Sequence, residues 1–190
     1  LTLRTFHAGG TAANIAANAS IVAKNAARLE FEELRTVDVV DETGEAAKVV
    51  VGRLAEVRFV DVNTNIVLST HNVPYGSTLY VADGEVVEKG KLIAKWDPFN
   101  AVIITEATGK IEFESVVENV TYKVESDEAT GLREIIIIES KDKTKVPSVH
   151  ILTEDGDLIR TYNLPVGGHV IIENGQKVKA GEVIVKIPRA

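Results

Sequence analysis

From about Ser20 onward, apolar and polar residues alternate with the period of two that marks half-buried β-strands. The alternation is plain in Leu29-Glu30-Phe31-Glu32 and in Val57-Arg58-Phe59-Val60-Asp61-Val62. Val49 to Val51 and Ile135 to Ile138 are β-branched runs with no polar phase, which predicts strands covered on both faces. Turn signals separate the runs: Glu42-Thr43-Gly44, Asn63-Thr64-Asn65, Ala82-Asp83-Gly84, Thr108-Gly109, Ala129-Thr130-Gly131, Glu154-Asp155-Gly156 and Glu173-Asn174-Gly175. Each supplies a Gly or Asn where the chain must reverse. Many short strands with regular turns predict a mainly β chain built as sandwiches or small barrels.

Residues 1–28 follow no such pattern. Nine of them are Ala, and Gly9-Gly10 interrupts the segment. Thr11 to Ala19 has helix-forming residues but no apolar stripe, so a short helical or disordered lead is expected.

The chain also repeats itself. Asn72-Val73-Pro74-Tyr75-Gly76 returns 91 residues later as Asn163-Leu164-Pro165-Val166-Gly167. The register then holds without a gap, pairing Gly84 with Gly175, Val87 with Val178, Gly90 with Gly181, Ile93 with Ile184 and Lys95 with Lys186. The glycines fall where turns need positive φ and the Val and Ile positions where a core needs filling. Such residues set backbone geometry rather than chemistry. A period this long is not that of a solenoid, and it predicts two small β domains in tandem, 20–100 and 101–190, after a lead of 1–19.

Composition narrows the function classes. Apolar residues make up 45% and charged residues 26%, ordinary for a globular chain. With no cysteine, disulfides and thiolate metal sites are excluded, which fits a reducing compartment. No apolar run approaches the roughly 18 residues of a membrane span. The net charge is −7, but residues 1–29 carry +3 through Arg4, Lys24 and Arg28 with no acid. An acidic body is a poor non-specific grip on phosphates, so nucleic-acid chemistry is expected at the N-terminal end or on partners.

Candidate catalytic constellations are sparse. His7, His71, His150 and His169 lie far apart, and none has metal-ligand spacing. There is no phosphate-binding Gly-x-x-x-x-Gly-Lys loop and no Gly-x-Ser-x-Gly elbow. Trp96, before Asp97-Pro98, is expected to anchor a core at a strand end. The segment Gly84 to Ile93, followed by Ile104 to Ile111, resembles the glycine-punctuated half-motifs of lipoyl and biotinyl carrier domains. Such carriers need a modifiable lysine at a hairpin tip. The intervening Trp96-Asp97-Pro98-Phe99-Asn100 has none, so carrier chemistry lacks its nucleophile.

The opening run Leu1-Thr2-Leu3-Arg4-Thr5-Phe6-His7-Ala8-Gly9-Gly10 resembles the first trigger helix and bend of the β′ subunit family of bacterial RNA polymerase. Thr11-Ala12-Ala13, Ser20 to Asn25, Val73-Pro74-Tyr75-Gly76, Ala94-Lys95-Trp96-Asp97-Pro98 and Ile104-Thr105-Glu106 are similar to that family too. The body resembles the large insertion that several bacterial lineages carry within the trigger loop. The resemblance implies two tandem sandwich-barrel hybrid motifs, and it covers essentially the whole chain. Opening on Leu1 and lacking Met altogether, the chain is expected to be a piece of that longer subunit.

The resemblance implies a division of roles. His7 would sit beside the phosphates of an incoming nucleoside triphosphate, stabilising charge or donating a proton as pyrophosphate leaves. Arg4 would hold the phosphates as a fixed cation, Leu3 would pack on the base, and Thr2 would help orient the nucleotide. Magnesium would be held by aspartates outside this chain, so the isolated segment should be inactive and carry no cofactor of its own. The implied partners are the α, β, ω and σ subunits, the rest of β′, the nucleoside triphosphate, DNA template and nascent RNA, with no membrane. The implied setting is the bacterial cytoplasm, at the nucleoid through the polymerase. The body would modulate trigger-loop folding, pausing and transcript cleavage. The competing reading is a free-standing β-rich interaction module, which leaves the opening motif without explanation.

Overall fold

A computed structural model of the chain describes residues 19–126 and 128–189. Every regular element among them is a strand, and the chain divides into two compact units, Leu1–Phe99 and Asn100–Ala190.

The first unit has nine strands: β1 (Ser20–Val22), β2 (Ala27–Glu32), β3 (Thr36–Val40), β4 (Ala46–Val50), β5 (Glu56–Val60), β6 (Val67–Asn72), β7 (Thr78–Leu79), β8 (Val86–Val87) and β9 (Leu92–Lys95). They form two antiparallel sheets, one in the order β1-β9-β7-β4-β3 and one in the order β6-β5-β2-β8. Residues from both sheets bury a shared core that includes Leu29, Val50, Val57, Leu79 and Ile93. Trp96 follows the end of β9 and packs on this core half-buried, its N–H donating to the Ala19 carbonyl at 3.0 Å.

The second unit also has nine: β10 (Asn100–Ile104), β11 (Gly109–Glu114), β12 (Tyr122–Ser126), β13 (Arg133–Ile137), β14 (Ser148–Leu152), β15 (Leu158–Asn163), β16 (His169–Val170), β17 (Lys177–Val178) and β18 (Val183–Pro188). Its sheets run β10-β18-β16-β13-β12 and β15-β14-β11-β17. Each strand of the first unit thus has its counterpart nine strands later, in the same sheet position. The core, with Ile111, Ile137, Val149, Ile151 and Ile184, is separate from the first. No sheet closes on itself among the described residues, so the mainly β architecture is a sandwich in each unit. No strand is shared between the units. Of the expected helical or disordered lead, 1–19, residues 1–18 lie outside the described residues.

The repeat extends further than the ungapped register. From β6 onward the spacing is constant, but the front halves differ in loop length. The β2–β3 connection takes three residues (33–35), whereas β11–β12 takes seven (115–121). The β4–β5 connection takes five (51–55), whereas β13–β14 takes ten (138–147). The longer 115–121 loop is organised by buried Thr121, whose hydroxyl donates to the Ser115 carbonyl at 2.7 Å and accepts from the Val117 N–H at 2.8 Å. Irregularities are conserved as well. The β1–β9 pairing shifts between Ile21 and Val22, and β10–β18 shifts at the equivalent Ile103 and Ile104.

Two glycine positions show different needs. Gly84 and Gly175 take φ of 83° and 87°, and their N–H groups donate to Leu29 and Ile111 at 2.8 Å each. The residue before each adds a side-chain clamp: Asp83 accepts from the Phe31 N–H at 3.0 Å, and Asn174 from the Phe113 N–H at 2.9 Å. Gly109 is a correction to the sequence reading. It begins β11 rather than forming a turn, and a Cβ there would collide with the Leu152 carbonyl oxygen and the Ile151 side chain. Close approach of backbones, not positive φ, requires glycine. Gly109→Ala is expected to destabilise the second unit by about 1–3 kcal/mol, as overpacking does. Thermal unfolding checks this, and an unchanged midpoint would show that the strand moves aside at no cost.

Candidate functional site

Thr2, Leu3, Arg4 and His7, the positions marked by the sequence, lie outside the described residues. The candidate site among the described residues is a surface on the body. Among the described residues no three His, Asp or Glu side chains converge as metal ligands.

The three described histidines sit apart on sheet surfaces. His71 on β6 meets the Phe59 ring edge to face, 5.5 Å between centroids. His150 on β14 bridges neighbouring strands, with Nε2 2.6 Å from Glu114 on β11 and Nδ1 2.8 Å from the Thr161 hydroxyl on β15. His169 Nδ1 is 3.1 Å from Glu134. Three of the perturbed carboxylates hold turns. Thr43 donates its hydroxyl to Asp41, the N–H groups of Asn63 and Thr64 donate to Asp61, and Thr144 donates to Asp142, each lowering that acid below the ordinary carboxylate range. These are Asx-type turn anchors, not general acids.

The Trp96–Asn100 segment answers the carrier question by topology. β9 pairs with β1 and β7, and β10 pairs with β18, so the two strands never form a hairpin with each other. Asp97 accepts from the Phe99 N–H at 2.8 Å and turns the chain from one unit to the next. A swinging-arm lysine has neither its residue nor its hairpin.

A shallow notch opens at the β6 edge of the first unit, lined by Val22, Lys24, Phe59, Leu68, Ser69 and His71. It holds about 20 Å³, enough for a methyl group or a water. Small-molecule sites occupy roughly 300 Å³ or more, so this is no substrate pocket. Backbone bonds bring a hairpin beside it: Ala23 donates to the Lys91 carbonyl at 2.9 Å, and Gly90 donates to the Ala23 carbonyl at 2.7 Å. Lys24, Lys89 and Lys91 are all exposed there.

The second unit fills the same place. Ile104 stands for Val22, Glu106 for Lys24, Arg160 for Ser69 and Tyr162 for His71. Arg160 reaches Glu106 at 2.5 Å, and the Tyr162 hydroxyl accepts from the Glu106 N–H at 2.8 Å. Ile104 is 2% exposed, whereas Val22 is 45% exposed. The sequence reading did not find this notch. Lys91 against Glu182 is visible at the 91-residue spacing, but Lys24 against Glu106 is not, because the front halves are out of that register.

The fold defines a class: a tandem pair of antiparallel β sandwiches. The chain belongs to the β′ subunit family of bacterial DNA-directed RNA polymerase. Its whole length matches the β′ subunit of Bacteroides fragilis at 95% identity over 190 residues, that of Parabacteroides distasonis at 63% over 191, and that of Flavobacterium johnsoniae at 52% over 189. In each case it spans 13% of the relative's length. No family model matches the chain.

Proposed function

We propose that this chain is the part of a β′ subunit that holds the first arm of the trigger loop and the insertion within it. The identity to β′ relatives along the whole of this chain, joined to the opening Leu1–Gly10 motif, carries the reading. In the assembled polymerase the opening segment would fold against the incoming nucleoside triphosphate and close the site. Phosphoryl transfer depends chiefly on positioning and on stabilising charge around the reacting oxygens. Arg4 supplies a permanent cation for the phosphates, and His7 a group that can donate a hydrogen bond or proton near neutral pH. Leu3 checks the base by apolar contact and Thr2 helps orient the nucleotide. Closure that requires a matched substrate couples folding of the loop to selectivity.

Magnesium, which supplies charge neutralisation in such chemistry, would be held by residues outside this chain. The partners would be the α, β, ω and σ subunits and the rest of β′, with DNA and RNA engaged through the whole enzyme. The described residues include no helix long and apolar enough to cross a membrane. The body, from residue 20 on, would bias the loop between open and closed states through its contacts on the polymerase, and so tune pausing and cleavage.

Reading the parent gene across both ends tests the assignment. An uninterrupted frame on both sides, with an aspartate-rich metal loop upstream and a second helix after Ala190, is expected. A start codon just before Leu1 and a stop after Ala190 would overturn it.

A further inference from the structure

The two units act as an internal control, because the same fold closes a notch in one copy and leaves it open in the other. In the second unit the site supplies its own carboxylate, Glu106, and its own cation, Arg160. In the first the loop carries a cation, Lys24, and the strand carries Ser69, so the anion is missing. Lys89 and Lys91 add positive charge beside it, with Glu88 the acid in that hairpin. Among the described residues none of the three lysines forms an ion pair. β6 is also the edge of its sheet, hydrogen-bonded on one side to β5, and its Val67 and Leu68 are 48% and 44% exposed.

We propose that the β6 edge and its notch form a docking site for an extended protein segment in which acidic and apolar residues alternate. The segment would add a strand to β6 through main-chain hydrogen bonds. Its apolar side chain would cover Val22 and Leu68, and its carboxylates would face Lys24, Lys89 and Lys91. The charge opposite the open notch selects an acidic protein segment. A polynucleotide would satisfy the lysines but has no peptide groups for the strand edge. This inference is independent of the trigger-loop assignment, because it rests on the body alone.

The test titrates the purified chain with a fluorescein-labelled peptide of alternating glutamate and valine, followed by anisotropy at low salt. Comparators are a lysine–valine peptide of equal length and oligothymidylate. The Lys24→Glu, Ser69→Arg double variant copies the closed arrangement of the second unit. Lys89→Glu with Lys91→Glu removes charge at an exposed hairpin without touching the notch. Saturable binding of the acidic peptide is expected, with amide resonances of Leu68 to Asn72 perturbed. Each double variant should weaken it about tenfold or more at unchanged thermal midpoint. Failure of the acidic peptide to bind, binding that neither variant weakens, or tighter binding of oligothymidylate would each overturn the proposal.

Discussion

His7→Ala in the assembled polymerase is expected to slow nucleotide addition by about 10²-fold or more while leaving template binding intact. The magnitude is that of a positioned acid or donor acting on a transition state. Alanine removes both capacities at once, so transient-state addition kinetics are the direct readout. His7→Gln separates them, because an amide can donate a hydrogen bond but cannot give up a proton. Partial recovery with Gln would assign His7 to charge stabilisation, and no recovery to proton transfer. An unchanged rate with Ala would remove His7 from the catalytic residues. Arg4, proposed to act on the same phosphates, carries a charge that does not titrate, so its effect should persist across pH.

Ile151→Ala is expected to destabilise the second unit by about 2–5 kcal/mol and leave the first standing. Ile151 is fully buried at the centre of the second core, and no residue of that core belongs to the other. The chain has one tryptophan, Trp96, and it packs on the first core. Tryptophan fluorescence therefore reports the first unit, while far-ultraviolet circular dichroism reports both. In urea the variant should lose part of its dichroism early, with the fluorescence midpoint unmoved. Leu29→Ala, equally buried in the first core, should shift the fluorescence instead. Fluorescence and dichroism moving together in both variants would mean that the units unfold as one.

How much of this was legible beforehand differs between the halves of each unit. The strands from β6 to β9 and from β15 to β18 share loop lengths, so Pro74-x-Gly76 and Pro165-x-Gly167 align at once. The runs Val49 to Val51 and Ile135 to Ile138 declared their strands by composition. They did not declare that they are equivalent, because the loops 115–121 and 138–147 carry extra residues that break the register. Backbone hydrogen bonding restores it: Gly90 donates to the Ala23 carbonyl as Gly181 donates to the Thr105 carbonyl, both at 2.7 Å. Gly109 was misread because a glycine needed for close strand approach looks in sequence like a glycine needed for a turn. The notch was hidden for a related reason. Its meaning lies in Lys24 facing open surface where Glu106 faces Arg160, a contrast between residues that no constant spacing pairs. Thr2, Leu3, Arg4 and His7 were legible only as a motif, since the chemistry proposed for them would depend on a substrate and a metal held elsewhere.

The most direct measurement is to delete residues 20–188 from the whole β′ subunit and to follow pausing and nucleotide addition by the assembled enzyme. A body that biases the trigger loop without taking part in chemistry predicts continued addition, altered pause lifetimes and altered transcript cleavage. Complete loss of synthesis by an enzyme that still assembles and binds template, or pausing and cleavage identical to the intact polymerase, would contradict it.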